Sequence, residues 1–197
     1  MDLKLTLQAL CRRVLLEKET LTHLDQAVGD GDFGTNMERG ALAILSLLDR
    51  LDDPIQEKGL LLEVGKALNA AGCGTAGTLL SFGIMAGALR GQTLGTFCEA
   101  ALARIQASGK AQLGEKTLVD ALEPAVRVLR EGGTLEQAAT AAQQGAESTR
   151  DMLGTKGRSL YSQSRAKGIP DPGAYLVAAL FDEAARPHKE TRDEKDH

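Results

Sequence analysis

Residues 24–32 are Leu24-Asp25-Gln26-Ala27-Val28-Gly29-Asp30-Gly31-Asp32, and they separate two segments whose apolar residues follow helical spacing. The first segment extends from Leu3 to Val28, and the pattern resumes at Thr35, where Thr35-Asn36-Met37-Glu38 has the form of a capping box. The glycines end one helix before the next begins. The stretch therefore predicts a loop between two helices that lie side by side in opposite directions.

The same spacing continues through the rest of the chain. It predicts further helices over residues 35–51, 56–70, 76–89, 95–108, 118–129, 134–153 and 172–186, which makes about eight in all, and it gives no convincing strand. Leu and Ala dominate the apolar residues and aromatics make up only 3%, a balance that favours helices over sheets. We expect an all-α, up-and-down antiparallel eight-helix bundle or barrel: one domain over residues 1–186 and a charged tail over 187–197.

Charge and cysteine content limit the classes of function. A net charge of -4 argues against a nucleic-acid-binding surface, which requires a basic stripe. We expect no membrane span and no signal peptide, because no apolar run is long enough and the N-terminus lacks a cleavage pattern. Cys11, Cys73 and Cys98 lie far apart without zinc-ligand spacing, so we expect buried, reduced thiols in a cytoplasmic protein.

Three aspartates occur around the first break: Asp25, Asp30 and Asp32. On one continuous helix they could not converge, because at about 100° per residue Asp30 lies roughly 140° round from Asp25. In an extended segment Asp30 and Asp32 project the same way, and Asp25 can join them from the last helical turn. Clustered carboxylates repel one another unless a cation neutralises them, and an all-oxygen set suits magnesium completed by water and phosphate.

Two other interpretations apply to this acidic stretch. An Asp/Gly-rich turn with a helix cap would also place aspartates here, although it does not account for the third one on the adjoining turn. A calcium loop of the EF-hand type is excluded, because no bidentate Glu lies at the required distance.

Two more glycine-rich breaks follow. Residues 71–78, Ala71-Gly72-Cys73-Gly74-Thr75-Ala76-Gly77-Thr78, open directly into a helix, whose N-terminal amides favour phosphate, although tight helix packing would give the same composition. No Walker motif is present, because no Gly-Lys-Ser/Thr follows. Residues 154–173 concentrate basic side chains, which suit either a phosphate or a solvated loop. An acidic cluster, a glycine-rich helix start and a basic loop together indicate phosphoryl transfer.

These motifs resemble the nucleotide-binding L subunit of dihydroxyacetone kinases. The resemblance begins at Leu24-Asp25 and covers nearly the whole chain. It is carried by the ordered segments Gly29–Gly40, Gly74–Gly77, Gly114–Ala125, Gly157–Tyr161 and Asp171–Ala174. It implies an eight-helix barrel that binds ADP or ATP in the loops at one end.

The resemblance also implies a set of site residues. Two magnesium ions would be held by Asp25, Asp30 and Asp32. The nucleotide would be bound by Phe33, Thr35, Asn36, Gly74, Thr75, Ala76, Gly77, Gly114, Thr117, Leu118, Leu122, Asp171, Pro172 and Gly173. Arg158 would contact the nucleotide and act as the catalytic residue that offsets charge on the moving phosphoryl group. His23 is interpreted as structural.

The same resemblance implies partners: a K-type subunit that holds dihydroxyacetone, and an M-type phosphohistidine subunit of the bacterial phosphotransferase system that rephosphorylates bound ADP. Two alternatives stay open: an L-type subunit of a kinase for a related triose or tetrose, and a nucleotide-binding regulatory module with weakened catalysis. The second is motivated by Phe33, since the family usually has His there and Phe cannot donate a hydrogen bond to phosphate. A homodimer also stays open.

Overall fold

The computed structural model describes residues 2–51, 56–156 and 166–187, and within these ranges it contains nine α-helices and no strand. The helices are α1 Leu3–Leu16, α2 Lys18–Val28, α3 Phe33–Arg50, α4 Glu57–Ala70, α5 Gly74–Arg90, α6 Leu94–Gly109, α7 Val119–Arg130, α8 Leu135–Ser148 and α9 Pro172–Ala184. A 3₁₀ turn, Thr149–Asp151, follows α8. The all-α prediction is confirmed. Most of the predicted charged tail lies outside the described residues.

The helices form a closed ring. Each of α3 to α8 packs against the next along the chain, α3 packs on α1 and α2, and α9 closes the ring against α1 and α2. The predicted single helix up to Val28 is divided at Glu17, which separates α1 from α2. The carboxylate of Glu17 accepts hydrogen bonds from Arg13 and from the Tyr175 hydroxyl, so a contact with α9 accompanies the break. If α1 and α2 are counted as one broken helix, the described helices form a ring of eight.

The starts of α3 and α8 are defined in detail by the residues at their N-termini. The helix expected to start at Thr35 begins at Phe33, with Asp32 at the N-cap position, and Thr35 lies exposed within its first turn. The predicted capping box at Thr35 is therefore wrong. At the start of α8, Thr134 and Gln137 exchange the two hydrogen bonds of a capping box.

Two residues allow helices α7 and α8 to approach each other closely: Pro124, which has no backbone N–H, and Gly145, which has no side chain. Pro124 lies inside α7 and has no N–H to donate to the carbonyl of Asp120, four residues earlier. That carbonyl faces Gly145 of α8, where any Cβ atom would collide with it. The glycine is therefore a packing residue, and α7 and α8 share one of the two apolar clusters that form the core.

Because successive helices alternate in direction, the loops before α3, α5, α7 and α9 lie at the same end of the ring. The first two glycine-rich breaks recognised in the sequence, and the described parts of the third, residues 154–156 and 166–173, are among these loops. At the opposite end, α5 and α6 are joined by a short link and α6 begins with a capping box at Thr93. None of the described helices combines the length and hydropathy needed to cross a bilayer.

Candidate functional site

A cleft of about 270 Å³ opens at this end of the ring. Its walls come from the starts of α3, α5 and α9, from the segment before α7, and from the inner faces of α5 and α6. The lining residues are Asp25, Asp32, Phe33, Asn36, Cys73, Gly74, Thr75, Ala76, Leu79, Ile105, Gly109, Ala111, Lys116, Thr117, Leu118, Val119, Lys156, Asp171, Pro172 and Gly173. The starts of three α-helices therefore face one cavity, and helix N-termini favour anions.

One edge of the cleft carries the three predicted aspartates. Asp25, Asp30 and Asp32 each offer a carboxylate oxygen, and these oxygens lie within 4.8 Å of one another. Asp25 is buried, whereas Asp30 and Asp32 are exposed. Although Asp32 occupies the N-cap position of α3, its side chain makes no capping hydrogen bond, so helix capping does not explain the residue.

The donor set fits a magnesium ion. Ligand oxygens around magnesium lie about 3–4 Å apart, because each metal–oxygen distance is about 2.1 Å. A spread of up to 4.8 Å reaches this geometry through small rotations of the two exposed side chains, Asp30 and Asp32. Without a bound cation, the negative charge of the three carboxylates would also repel a neighbouring phosphate group.

The surrounding backbone holds Asp25 in position. Its Oδ2 accepts a hydrogen bond of 3.1 Å from the amide of Phe33. A Cβ atom at Gly29 would collide with its Oδ1, and Gly31 has a φ of +79°, a left-handed conformation that favours glycine. Gly34 lies so close to the carbonyl of Lys18 that no side chain fits between α2 and α3. The glycines thus bring the end of α2 and the start of α3 together.

The wall formed by the second glycine-rich break is held from α3. Gly74 has a φ of +67°, and a Cβ atom there would approach the Nδ2 of Asn36 to 3.3 Å. The guanidinium of Arg39 donates a hydrogen bond of 2.9 Å to the carbonyl of Gly72. Residues 74–76 therefore line the cleft at the start of α5.

The opposite wall depends on two acidic side chains. Asp120, fully buried, accepts hydrogen bonds from the amides of Gly114 (2.5 Å) and Thr117 (2.7 Å). Asp171 caps α9 by accepting from the amide of Ala174 at 2.8 Å. Burial, together with repulsion from Asp120, raises the pKa of Asp171 to about 7. The hydrogen bonds of Asp120 and Asp171 fix the two backbone segments that form this wall, the one before α7 and the start of α9.

Most predicted nucleotide-binding residues line the cleft: Phe33, Asn36, Gly74, Thr75, Ala76, Thr117, Leu118, Asp171, Pro172 and Gly173. Four lie off its walls. Thr35 is exposed on α3, Gly77 packs against Cys73, Gly114 donates its amide to Asp120, and Leu122 is in the core with 7% exposure. Arg158, the predicted catalytic residue, lies outside the described residues.

Sequence reasoning missed two buried charged residues beside the cleft, Lys116 and Asp120. Both are almost fully buried, with exposures of 1% and 0%. A signal for Asp120 was present, because Thr117-Leu118-Val119-Asp120 has the pattern of a hydroxyl residue followed three positions later by an acid. No signal marked Lys116, since a lysine between glutamate and threonine in a loop is usually solvated.

Three features together give the cleft its chemistry. The carboxylates can hold a hard cation at one edge, the helix starts can bind phosphate oxygens, and the apolar side chains of Leu79, Ile105 and Leu118 can contact a flat ring. A polyanion with an aromatic end and bound magnesium matches all three.

Comparisons with known proteins agree with this chemistry. The chain matches the DAK2 domain over residues 27–186. It is similar to a Listeria innocua protein, the ADP-binding subunit DhaL of PEP-dependent dihydroxyacetone kinase 1, with 36% identity over 86% of this chain and 87% of that one. It is also similar to human triokinase/FMN cyclase, with 33% identity over 90% of this chain, although it spans only 33% of that protein. A crystal structure of the C. freundii dihydroxyacetone kinase in complex with AMP-PNP and Mg²⁺ superposes with a TM-score of 0.77 and 30% identity, covering 91% of this chain and 32% of that one.

Proposed function

Because the chain belongs to the DAK2 domain family, we propose that it is the ADP/ATP-binding subunit of a dihydroxyacetone kinase. The nucleotide occupies the cleft, with its phosphates between the aspartate cluster and the starts of α3, α5 and α9. Two magnesium ions at Asp25, Asp30 and Asp32 neutralise the phosphates when bound, the number two following from the family resemblance. The observation that supports this most directly is the convergence of three carboxylates within 4.8 Å at the edge of a cleft that helix N-termini face.

The chain's own residues bind and orient the nucleotide. The backbone amides at the start of α5, beginning at Gly74, lie where they can donate to phosphate oxygens, and Asn36 adds a side-chain amide on the same side. Leu79 and Leu118 offer apolar contacts to the base. Phosphoryl transfer requires little covalent chemistry of a protein, so positioning and charge neutralisation are the contributions we assign to this chain. Arg158 would offset charge on the transferred group.

The full reaction needs partners. We propose a K-type subunit that holds dihydroxyacetone and an M-type phosphohistidine subunit that rephosphorylates ADP in place. The Listeria innocua relative is PEP-dependent by name and is covered over 87% of its length, which supports an arrangement in separate subunits. The three cysteines are buried free thiols, which supports a cytoplasmic location where thiols stay reduced.

Two alternatives have specific support. A kinase for a related triose or tetrose is favoured by the similarity to a human triokinase, and the sugar site would lie on the partner in either case. A regulatory module with weakened catalysis is favoured by Phe33, which lines the cleft with a side chain that cannot donate to phosphate.

The metal-dependent step of the proposal is tested by Asp30→Ala. We expect the variant to lose magnesium-dependent ADP binding in isothermal titration calorimetry, with the wild-type titration reporting the number of ions bound. Asp49→Ala is the matched control, because Asp49 is an exposed aspartate on α3 outside the cluster. Unchanged ADP affinity in Asp30→Ala would contradict the metal site.

The phosphate donor and acceptor are tested by reconstitution. The chain is mixed with K-type and phosphorylated M-type subunits, and phosphate transfer to dihydroxyacetone is compared with transfer when free ATP replaces the M-type subunit. Product with the phosphoprotein supports the proposed kinase subunit. Tight ADP binding without product from dihydroxyacetone, glyceraldehyde or a tetrose supports the regulatory module.

A further inference from the structure

The largest fully buried side chain in the described part of the protein is Lys116. Its exposure is 1%, and its backbone has a φ of +59°, a left-handed conformation uncommon for a residue with a side chain. A lysine buried to this extent is rare unless its ammonium group has partners, because removing the charge from water is costly. Both the conformation and the burial therefore call for an explanation in the surrounding contacts.

The ammonium group joins two segments that are far apart in sequence. The Nζ of Lys116 donates to the carbonyl of Thr149 at 2.5 Å and to the carbonyl of Ile169 at 2.7 Å. Thr149 follows α8 and Ile169 precedes α9. One side chain therefore holds the two ends of the segment that connects α8 to α9. Hydrogen bonds from a charged donor are stronger than those between neutral groups.

A second link continues from Thr149 to the wall of the cleft. The hydroxyl of Thr149, itself fully buried, donates to the carbonyl of Ala146 at 2.6 Å and accepts from the amide of Asp171 at 2.8 Å. Asp171 then caps α9. On the other side of the cleft, Lys116 directly precedes Thr117, whose backbone amide donates a hydrogen bond to the carboxylate of Asp120.

We propose that Lys116 is a positioning residue for nucleotide binding. It holds the wall at Thr117 and Leu118 in register with the wall at Asp171–Gly173, so that the cleft between them is formed before a ligand enters. Nothing in this role requires Lys116 to contact the nucleotide. The assignment of the ligand rests on the proposed function, whereas the connection between the two walls rests on the hydrogen bonds alone.

The test replaces Lys116 by Met, which has a similar length and no donor. We expect ADP affinity in magnesium, measured by calorimetry, to weaken by about tenfold or more, because the variant loses both hydrogen bonds of the ammonium group and the loss of even one charged hydrogen bond is of that order. We expect the amide of Asp171 to exchange its hydrogen faster, and the amide of Val64 in α4 to keep its wild-type rate. Binding of Mn²⁺ alone, followed by electron paramagnetic resonance, should also be unchanged.

Lys66→Met is the matched control. Lys66 is 63% exposed on α4, so this variant removes the same charge without touching the cleft, and all three measurements should equal those of the wild type. ADP affinity within twofold of wild type in Lys116→Met would overturn the proposal, as would an unchanged exchange rate at Asp171. If wild-type protein fails to bind ADP, the proposed function fails, and the exchange rate at Asp171 still decides whether Lys116 links the walls.

If Lys116→Met does not fold, a second pair of variants tests the link through which Lys116 reaches the wall at Asp171, because the carbonyl of Thr149 accepts from Lys116 and its hydroxyl accepts from the amide of Asp171. Thr149→Val removes the hydroxyl that connects to Asp171, and Thr149→Ser keeps it. Faster exchange at Asp171 and weaker ADP binding in the valine variant, both restored in the serine variant, support the proposal. Equal behaviour of the two variants overturns it.

Discussion

The backbone amide of Phe33 donates a hydrogen bond of 3.1 Å to the carboxylate of Asp25, so the first residue of α3 orients a side chain of α2. This contact joins the buried member of the aspartate cluster to the helix that follows the cluster. The orientation of the carboxylate therefore depends on the conformation of the loop between them, where Gly29 leaves no room for a side chain beside Asp25.

Asp25→Asn is expected to separate the role of the charge from that of the hydrogen bond. The amide oxygen of Asn can still accept from Phe33, but the negative charge that attracts a cation is lost. We expect ADP affinity in magnesium to fall at least about tenfold, while affinity measured in EDTA does not fall, because the variant has one carboxylate fewer to repel the phosphates. Calorimetry under the two conditions checks this, and equal losses in both would show that the aspartate acts on the nucleotide without a metal.

Gly145→Ala is expected to destabilise the contact between α7 and α8. A methyl group there would meet the carbonyl of Asp120, and the backbone at that point cannot move without displacing the caps at Gly114 and Thr117. We expect a loss of about 1–3 kcal/mol in the free energy of unfolding, measured by urea denaturation. The control Gln144→Ala, on the exposed side of the same helix, should change it by less than about 0.5 kcal/mol.

Asp171 makes stability depend on pH. Its pKa is raised by burial from 3.8 to about 7, so between these values the folded protein holds a proton that the unfolded chain has lost. The free energy of unfolding therefore decreases as pH rises through this window, by at most about 1.4 kcal/mol per pH unit. Asp171→Asn keeps the cap on α9 but cannot titrate, so its stability relative to wild type should increase from about pH 4 to about pH 7. Denaturation curves that shift in parallel across this range would contradict the assignment.

The fold and the aspartate cluster could be predicted from sequence because each depends on local spacing. Helical periodicity is a property of nearby residues, and the glycines at 29 and 31 show where Asp30 and Asp32 leave the helix. The division of the first helix at Glu17 was not predictable in this way. That residue is held by Tyr175, a contact across 158 positions of sequence.

The aspartates could be predicted from local spacing, whereas the burial of Lys116 depends on partners that are distant in sequence. Its neighbours Gly114, Glu115 and Thr117 indicate a polar turn, and in a polar turn a lysine is expected to be solvated. Its actual partners are carbonyl groups, which carry no sequence signal because every residue has one. A residue whose side chain donates hydrogen bonds only to backbone carbonyls therefore cannot be recognised from the sequence alone.

Phe33→His tests whether the chain is a kinase subunit or a regulatory module. Phe33 lines the cleft and packs against the apolar cluster of α1 to α4, so a histidine there loses apolar contact but gains a donor directed to the same space. We expect ADP affinity to change by less than about threefold, whereas transfer to dihydroxyacetone in the mixture with K- and M-type subunits should rise about tenfold, as one added phosphate hydrogen bond would produce. Phe33→Leu is the matched control, because it also shortens the side chain and provides no donor, and its transfer rate should not exceed that of wild type. If the wild-type protein transfers phosphate and the histidine variant is no faster, Phe33 is compatible with full activity, and the regulatory interpretation loses its support.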